Sequence, residues 1–179
     1  MKDMETQLEL LSRIANALDR AYPPTANLGF TAPPGRRKIF INQTEPDEDY
    51  LWYFWDGHSQ QKVPILQQAL TGKIVGIAID DSQEFKGSPV EKLHLLIDAD
   101  QKYKIVTGLN TFTARSIVLN TYCAYVMDSL ANPITIALRR GEGTTFSTFY
   151  QSGDQLSVTW DGDVALGDLI QEIHTKLSF

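Results

Sequence analysis

Lys73 to Thr107 reads KIVGIAIDDSQEFKGSPVEKLHLLIDADQKYKIVT. Three runs within it, Lys73-Ile-Val-Gly-Ile-Ala-Ile79, Lys92-Leu-His-Leu-Leu-Ile97 and Lys102-Tyr-Lys-Ile-Val-Thr107, are rich in branched or aromatic residues. Side chains of that shape fit a pleated, half-buried surface, so each run is a strand. Ala99-Asp-Gln101 leaves room only for a tight connection between the last two, which makes the set an antiparallel meander.

Downstream, Thr111 or Thr113 caps a helix running to about Leu130, with Ile117, Val118, Tyr122, Tyr125 and Val126 on its core face. Asn132-Pro133 marks its end. Ile134 to Leu138 and Thr144 to Tyr150 are two further strands, joined across Arg139-Arg-Gly-Glu-Gly143. A strand over Leu156 to Trp160, an Asp161-Gly162 turn and a closing helix through Leu166, Leu169, Ile170, Ile173 and Leu177 complete the chain.

Upstream, Met4, Leu8, Leu11, Ala15 and Leu18 recur at helical spacing, so residues 1–22 form an amphipathic helix. It stops at Tyr22-Pro23-Pro24, because proline cannot continue the hydrogen-bond ladder. Residues 23–36 are an irregular connector, with four prolines and two glycines between Pro23 and Gly35. Lys38 to Asn42 and Tyr50 to Trp55 read as a hairpin, and Ile65 to Leu70 as a short helix closed by Gly72. In Tyr50-Leu-Trp-Tyr-Phe-Trp55, alternation sends Trp52 and Phe54 to one face, expected to be core, and Tyr53 and Trp55 to the other. That second face is either a stacking platform or a covered interface.

These elements give an α+β class dominated by antiparallel sheet or barrel, with residues 37–179 as a single domain. From Lys73 to Tyr150 the order strand, strand, strand, helix, strand, strand resembles a five-stranded OB-type barrel. A duplicated alternative, strands then a helix repeated twice, is similar to the single-strand-binding fold of the plant Whirly proteins. Both resemblances rest on element order, and both imply binding of single-stranded nucleic acid.

Composition narrows the function classes. The chain of 179 residues is long enough to bury a full core without staples. It carries three His, one Cys and no long apolar run, which gives no reason to expect a disulfide framework, a zinc site or a membrane span. The mixed-charge start, Met1-Lys-Asp-Met-Glu5, lacks a signal-peptide core, so cytoplasmic location is expected. The net charge of −6 argues against coating nucleic acid through charge alone, but leaves room for a local basic groove.

No nucleophile elbow, Walker loop or dinucleotide fingerprint follows any strand, so neither catalysis nor a cofactor is expected. Asp80, Asp81, Asp98 and Asp100 sit at strand ends, as a metal nuclease would present them. The later strand that would supply a further acid instead ends in Arg139-Arg140, which sets the nuclease far behind. Single-strand binding needs cations on phosphates interleaved with aromatic faces for bases. Lys102 and Lys104 alternate with Tyr103, Arg139 and Arg140 precede Phe146, Phe149 and Tyr150, and Arg36, Arg37 and Lys38 precede Phe40. The expected interface is therefore Arg36, Arg37, Lys38, Lys102, Lys104, Arg139, Arg140 and Tyr150. The competing expectation, favoured by the acidic balance, is a protein-interaction module: adaptor, inhibitor or complex subunit. The stripe on residues 4–18 needs covering, which suggests a homodimer.

Overall fold

The computed structural model describes residues 36–42, 48–85, 88–156 and 165–177. They form strands β1 (Arg37–Ile41), β2 (Trp52–Asp56), β3 (Gln61–Ile65), β4 (Ala69–Phe85), β5 (Ser88–Asp98) and β6 (Lys102–Gly108). Helix α1 (Phe112–Val126), strands β7 (Ile134–Gly141), β8 (Thr144–Gln151) and β9 (Asp154–Leu156), and helix α2 (Leu166–Leu177) follow. The expected N-terminal helix, with the dimer reasoning attached to it, the connector up to Gly35 and most of the expected 156–160 strand lie outside the described residues.

All the described strands join one nine-stranded sheet in the order β3-β2-β1-β6-β5-β4-β7-β8-β9. Every ladder is antiparallel except β1 with β6. The class is thus mixed α+β, mostly antiparallel, with two helices among the described residues. The 73–107 meander, the β1–β2 hairpin, the β7–β8 hairpin and the closing helix all form as their patterns predict.

Closing a five-stranded barrel from these strands would require β6 to pair with β8. Instead β6 gives its far edge to β1 and β8 pairs with β9, so the sheet is open. Helix α1 occupies the stretch of β8 edge that β9 does not reach. The Thr113 hydroxyl donates to the Thr145 carbonyl, and Asn120 Nδ2 donates to the Ser147 carbonyl at 3.1 Å. Ser147 N–H donates to Ser116 Oγ at 3.0 Å. Covering an edge with a helix is one of the ways a sheet avoids exposing unpaired backbone groups. The sheet nevertheless curls. Arg140 reaches the Glu48 and Tyr50 carbonyls at 2.9 and 3.3 Å, and the Thr145 hydroxyl reaches the Asn42 carbonyl at 2.9 Å, tying the β7–β8 hairpin to the β1–β2 connection.

The core lies between the helices and one face of the sheet, the inner face. Ile39, Ile74, Ile77, Leu93, Leu95, Ile97, Ile105, Ile136 and Phe149 meet Ile117, Val118, Ile170 and Ile173 there. Each such side chain contributes about 1.5–3 kcal/mol on full burial, which sets the register so firmly that the opposite face is determined as well.

Three expectations need correction. Ile65 to Leu70 is not a helix: Ile65 ends β3, and Ala69 and Leu70 begin β4, pairing with Ala137 and Ile136. Gly72 is no cap but an extended residue pressed against β5, where a Cβ would stand 2.6 Å from Ile97 Cγ2 and 2.7 Å from the Asp98 carbonyl. Helix α1 ends at Val126, short of Leu130, because Asp128 adopts a left-handed conformation with φ 54°. The Asp128 N–H then bonds the Tyr125 carbonyl and the Ser129 N–H the Ala124 carbonyl, the reciprocal pattern of a Schellman stop. Val126 accordingly points outward, 63% exposed, rather than into the core. The other end agrees with its pattern: Thr111 is the cap, its hydroxyl accepting from Ala114 N–H at 3.1 Å.

Candidate functional site

The inner-face residues leave the alternate residues of β1 to β6 on the outer face, and the registers arrange these in rows across the strands. Tyr53 pairs with Phe40, Phe40 with Val106, Val106 with His94, and His94 with Ala78. This row is aromatic at one end and carries an imidazole near the other. Phe40 and Tyr53 stack with centroids 5.6 Å apart and planes 23° from parallel.

One step along the strands, about 7 Å away, Lys38 pairs directly with Lys104 and Lys104 with Leu96. Trp55, two residues from Tyr53 on the same face of β2, pairs with Lys62 and is 47% exposed. A further step brings Lys102, paired with Asp98, which in turn pairs with Lys73. An aromatic row and a lysine row are therefore neighbours on one surface.

The electrostatics of the face are visible at His94. Burial pushes its imidazole below the ordinary histidine range, and Lys104 pushes it further. Asp80, whose Oδ2 lies 3.5 Å from Nε2, opposes the shift, and Lys38 adds to it. Among the described residues Lys38, Lys102 and Lys104 are in no ion pair, whereas Lys62 lies 3.5 Å from Glu48. Like charges placed directly across a ladder repel, so the Lys38–Lys104 pair is an electrostatic cost to the fold.

The eight residues expected from sequence separate into four settings. Lys38, Lys102 and Lys104 come together on the outer face. Arg36 is a structural ion pair, its Nη1 2.6 Å from Asp98 Oδ1 and also donating to the Ile97 carbonyl at 3.1 Å. Arg37 alternates to the inner face, its guanidinium 3.5 Å from the Phe54 ring centroid. Arg139, Arg140 and Tyr150 belong to the β7–β8 ribbon. Arg139 and Tyr150 share the outer face through their partners Phe146 and Thr135, while Arg140 tethers the hairpin as described. Tyr150 lies four strands from Lys102 in the sheet order, roughly 19 Å along the surface.

His94 and Lys62 escaped sequence reasoning. Alternation within Lys92 to Ile97 marks His94 as facing away from Leu93 and Leu95, but only the β1–β6 pairing shows which lysines it meets. The acidic strand ends do not converge: Asp80 and Asp98 lie level with opposite ends of β5, about 20 Å apart. Among the described residues no three His, Cys, Asp or Glu side chains form a group that would hold a metal ion, and no helix is long and apolar enough to cross a membrane. No protein-family model, no curated protein and no solved structure matches the chain.

Proposed function

We propose that the protein binds single-stranded nucleic acid across the outer face of β2, β1 and β6. One observation carries this reading: the in-register Lys38–Lys104 pair lies beside the row that begins with the stacked Phe40 and Tyr53 and in line with the exposed Trp55. Phosphates would track the lysine row, extended by Lys102, while bases would stack on the exposed Trp55. A strand bound in this way is read by stacking and charge, with little sequence preference.

The element order supports the same reading at a coarser level. The order of β4, β5, β6, α1, β7 and β8 is that of an OB-type barrel, although these strands stay in an open sheet, and strands followed by a helix occur twice, the order of the Whirly-like alternative. Both architectures commonly serve single-strand binding. Replacing Trp55 with Ala tests the stacking part. Affinity for a fluorescent oligonucleotide is expected to fall by about 1–3 kcal/mol with the salt dependence unchanged, and unaltered affinity would remove Trp55 from the interface.

The net charge of −6 favours the second reading, a protein partner. Its apolar signal is divided: exposed Val63 pairs with Phe54 and faces inward with it, whereas Trp55 faces outward. Binding of protein but not of oligonucleotide would establish that reading.

A further inference from the structure

The inner face of the same strands carries a separate cleft of about 300 Å³. Ile39, Trp52 and Tyr103 are buried and form its floor, and half-buried Phe54 and Leu70 line its sides. Arg37 and Asp100 are exposed and stand at its mouth. An apolar body with a few convergent polar groups is the usual make-up of a small-molecule site.

Both charges have neighbours that hold them, but neither is in an ion pair among the described residues. The Arg37 guanidinium carbon lies 3.5 Å from the Phe54 ring centroid, a cation–π contact that holds the side chain at the cleft. Asp100 Oδ2 accepts the Tyr103 hydroxyl at 3.2 Å, and that hydroxyl accepts in turn from Gln101 Nε2 at 2.8 Å. Among the described residues, Arg37 has no carboxylate and Asp100 no cation within ion-pair distance, and the two do not pair with each other.

We propose that this cleft binds a free α-amino acid with an apolar side chain. Its carboxylate meets Arg37, its ammonium meets Asp100, and its side chain rests on Ile39 and Trp52. The pair of charges selects a zwitterion: Asp100 would repel a phosphate, and a neutral apolar ligand would leave both charges without a partner. Size agrees, since a cavity of roughly 150 Å³ already holds benzene. The cleft and the lysine face lie on opposite sides of the sheet, so this site stands or falls independently of nucleic-acid binding.

Calorimetric titration of the whole chain with L-phenylalanine, N-acetyl-L-phenylalanine and L-phenylalaninamide tests the assignment. L-phenylalanine is expected to bind at one saturable site, and each blocked analogue to bind about tenfold more weakly or worse, the loss of one charged hydrogen-bonded contact. In Arg37→Gln the preference over the amide should disappear while the preference over the acetylated compound remains, and Asp100→Asn should show the reverse. These preferences are measured within each variant, so a change in its stability does not mimic them. Absence of binding up to about 10 mM L-phenylalanine, equal binding of the blocked analogues, or preferences unchanged in both variants would overturn the proposal.

Discussion

Lys38 and Lys104 face each other across a parallel ladder with no carboxylate in ion-pair distance among the described residues. A cross-strand like-charge pair costs roughly 0.2–1 kcal/mol. Lys38→Ala is therefore expected to leave urea stability unchanged or raise it by a few tenths of a kcal/mol, while weakening single-strand binding. A clear loss of stability would mean that the lysine stem packs and its charge is incidental. His94 gives a second test at this scale. Burial first, then Lys104 and Lys38, outweigh Asp80 and hold its folded pKa below the unfolded value. The unfolded chain then binds the proton more readily, so the stability linked to the neutral ring is fully present above about pH 6.5 and is lost as the pH falls through the depressed folded value. His94→Gln should flatten the fall in urea midpoint between about pH 7 and pH 5. The same decline in both proteins would show that other groups set it.

At the scale of elements, the bonds from α1 to β8 cover the strand edge that a closed barrel would use. Asn120→Ala leaves the Ser147 carbonyl without its side-chain donor and is expected to cost about 1–3 kcal/mol in unfolding free energy. Gly72→Ala drives a methyl group into Ile97 and the Asp98 carbonyl, and a loss of at least 1–3 kcal/mol, about the range for overpacking, is expected in the same measurement. An unchanged midpoint for either variant would mean that the neighbouring strand yields freely. What was legible in the sequence follows the same division. The meander, the Thr111 cap and the α2 stripe are local patterns, and all were readable. Strand β3 was hidden by Pro64, which an edge strand tolerates. The start of β4 was hidden because its partner Ile134–Ala137 lies more than sixty residues downstream. The helix stop at Asp128 used a residue other than glycine for the left-handed position. The candidate face was half legible: alternation put Lys102 and Lys104 on one face, but the parallel pairing that adds Lys38 and Phe40 has no local signal, and nothing in the spacing distinguished Arg36 and Arg140 as structural ties.

For the whole molecule, an acidic chain can bind a polyanion only if its cations are gathered on one surface, and the outer face of β1 and β6 gathers Lys38, Lys102 and Lys104 beside aromatic rings. Each lysine that neutralises a phosphate of a single strand contributes about −0.7 to the slope of log affinity against log salt. The decisive measurement is titration of a fluorescent single strand at several salt concentrations with the unaltered protein and with the Lys38→Ala, Lys104→Ala double variant. The expected result is binding at low salt that weakens linearly on the logarithmic scale, with the slope of the double variant shallower by about 1.4, or about 0.7 for each lysine removed. No binding at low salt, or a double variant with the same affinity and slope as the unaltered protein, would contradict a nucleic-acid interface on this face.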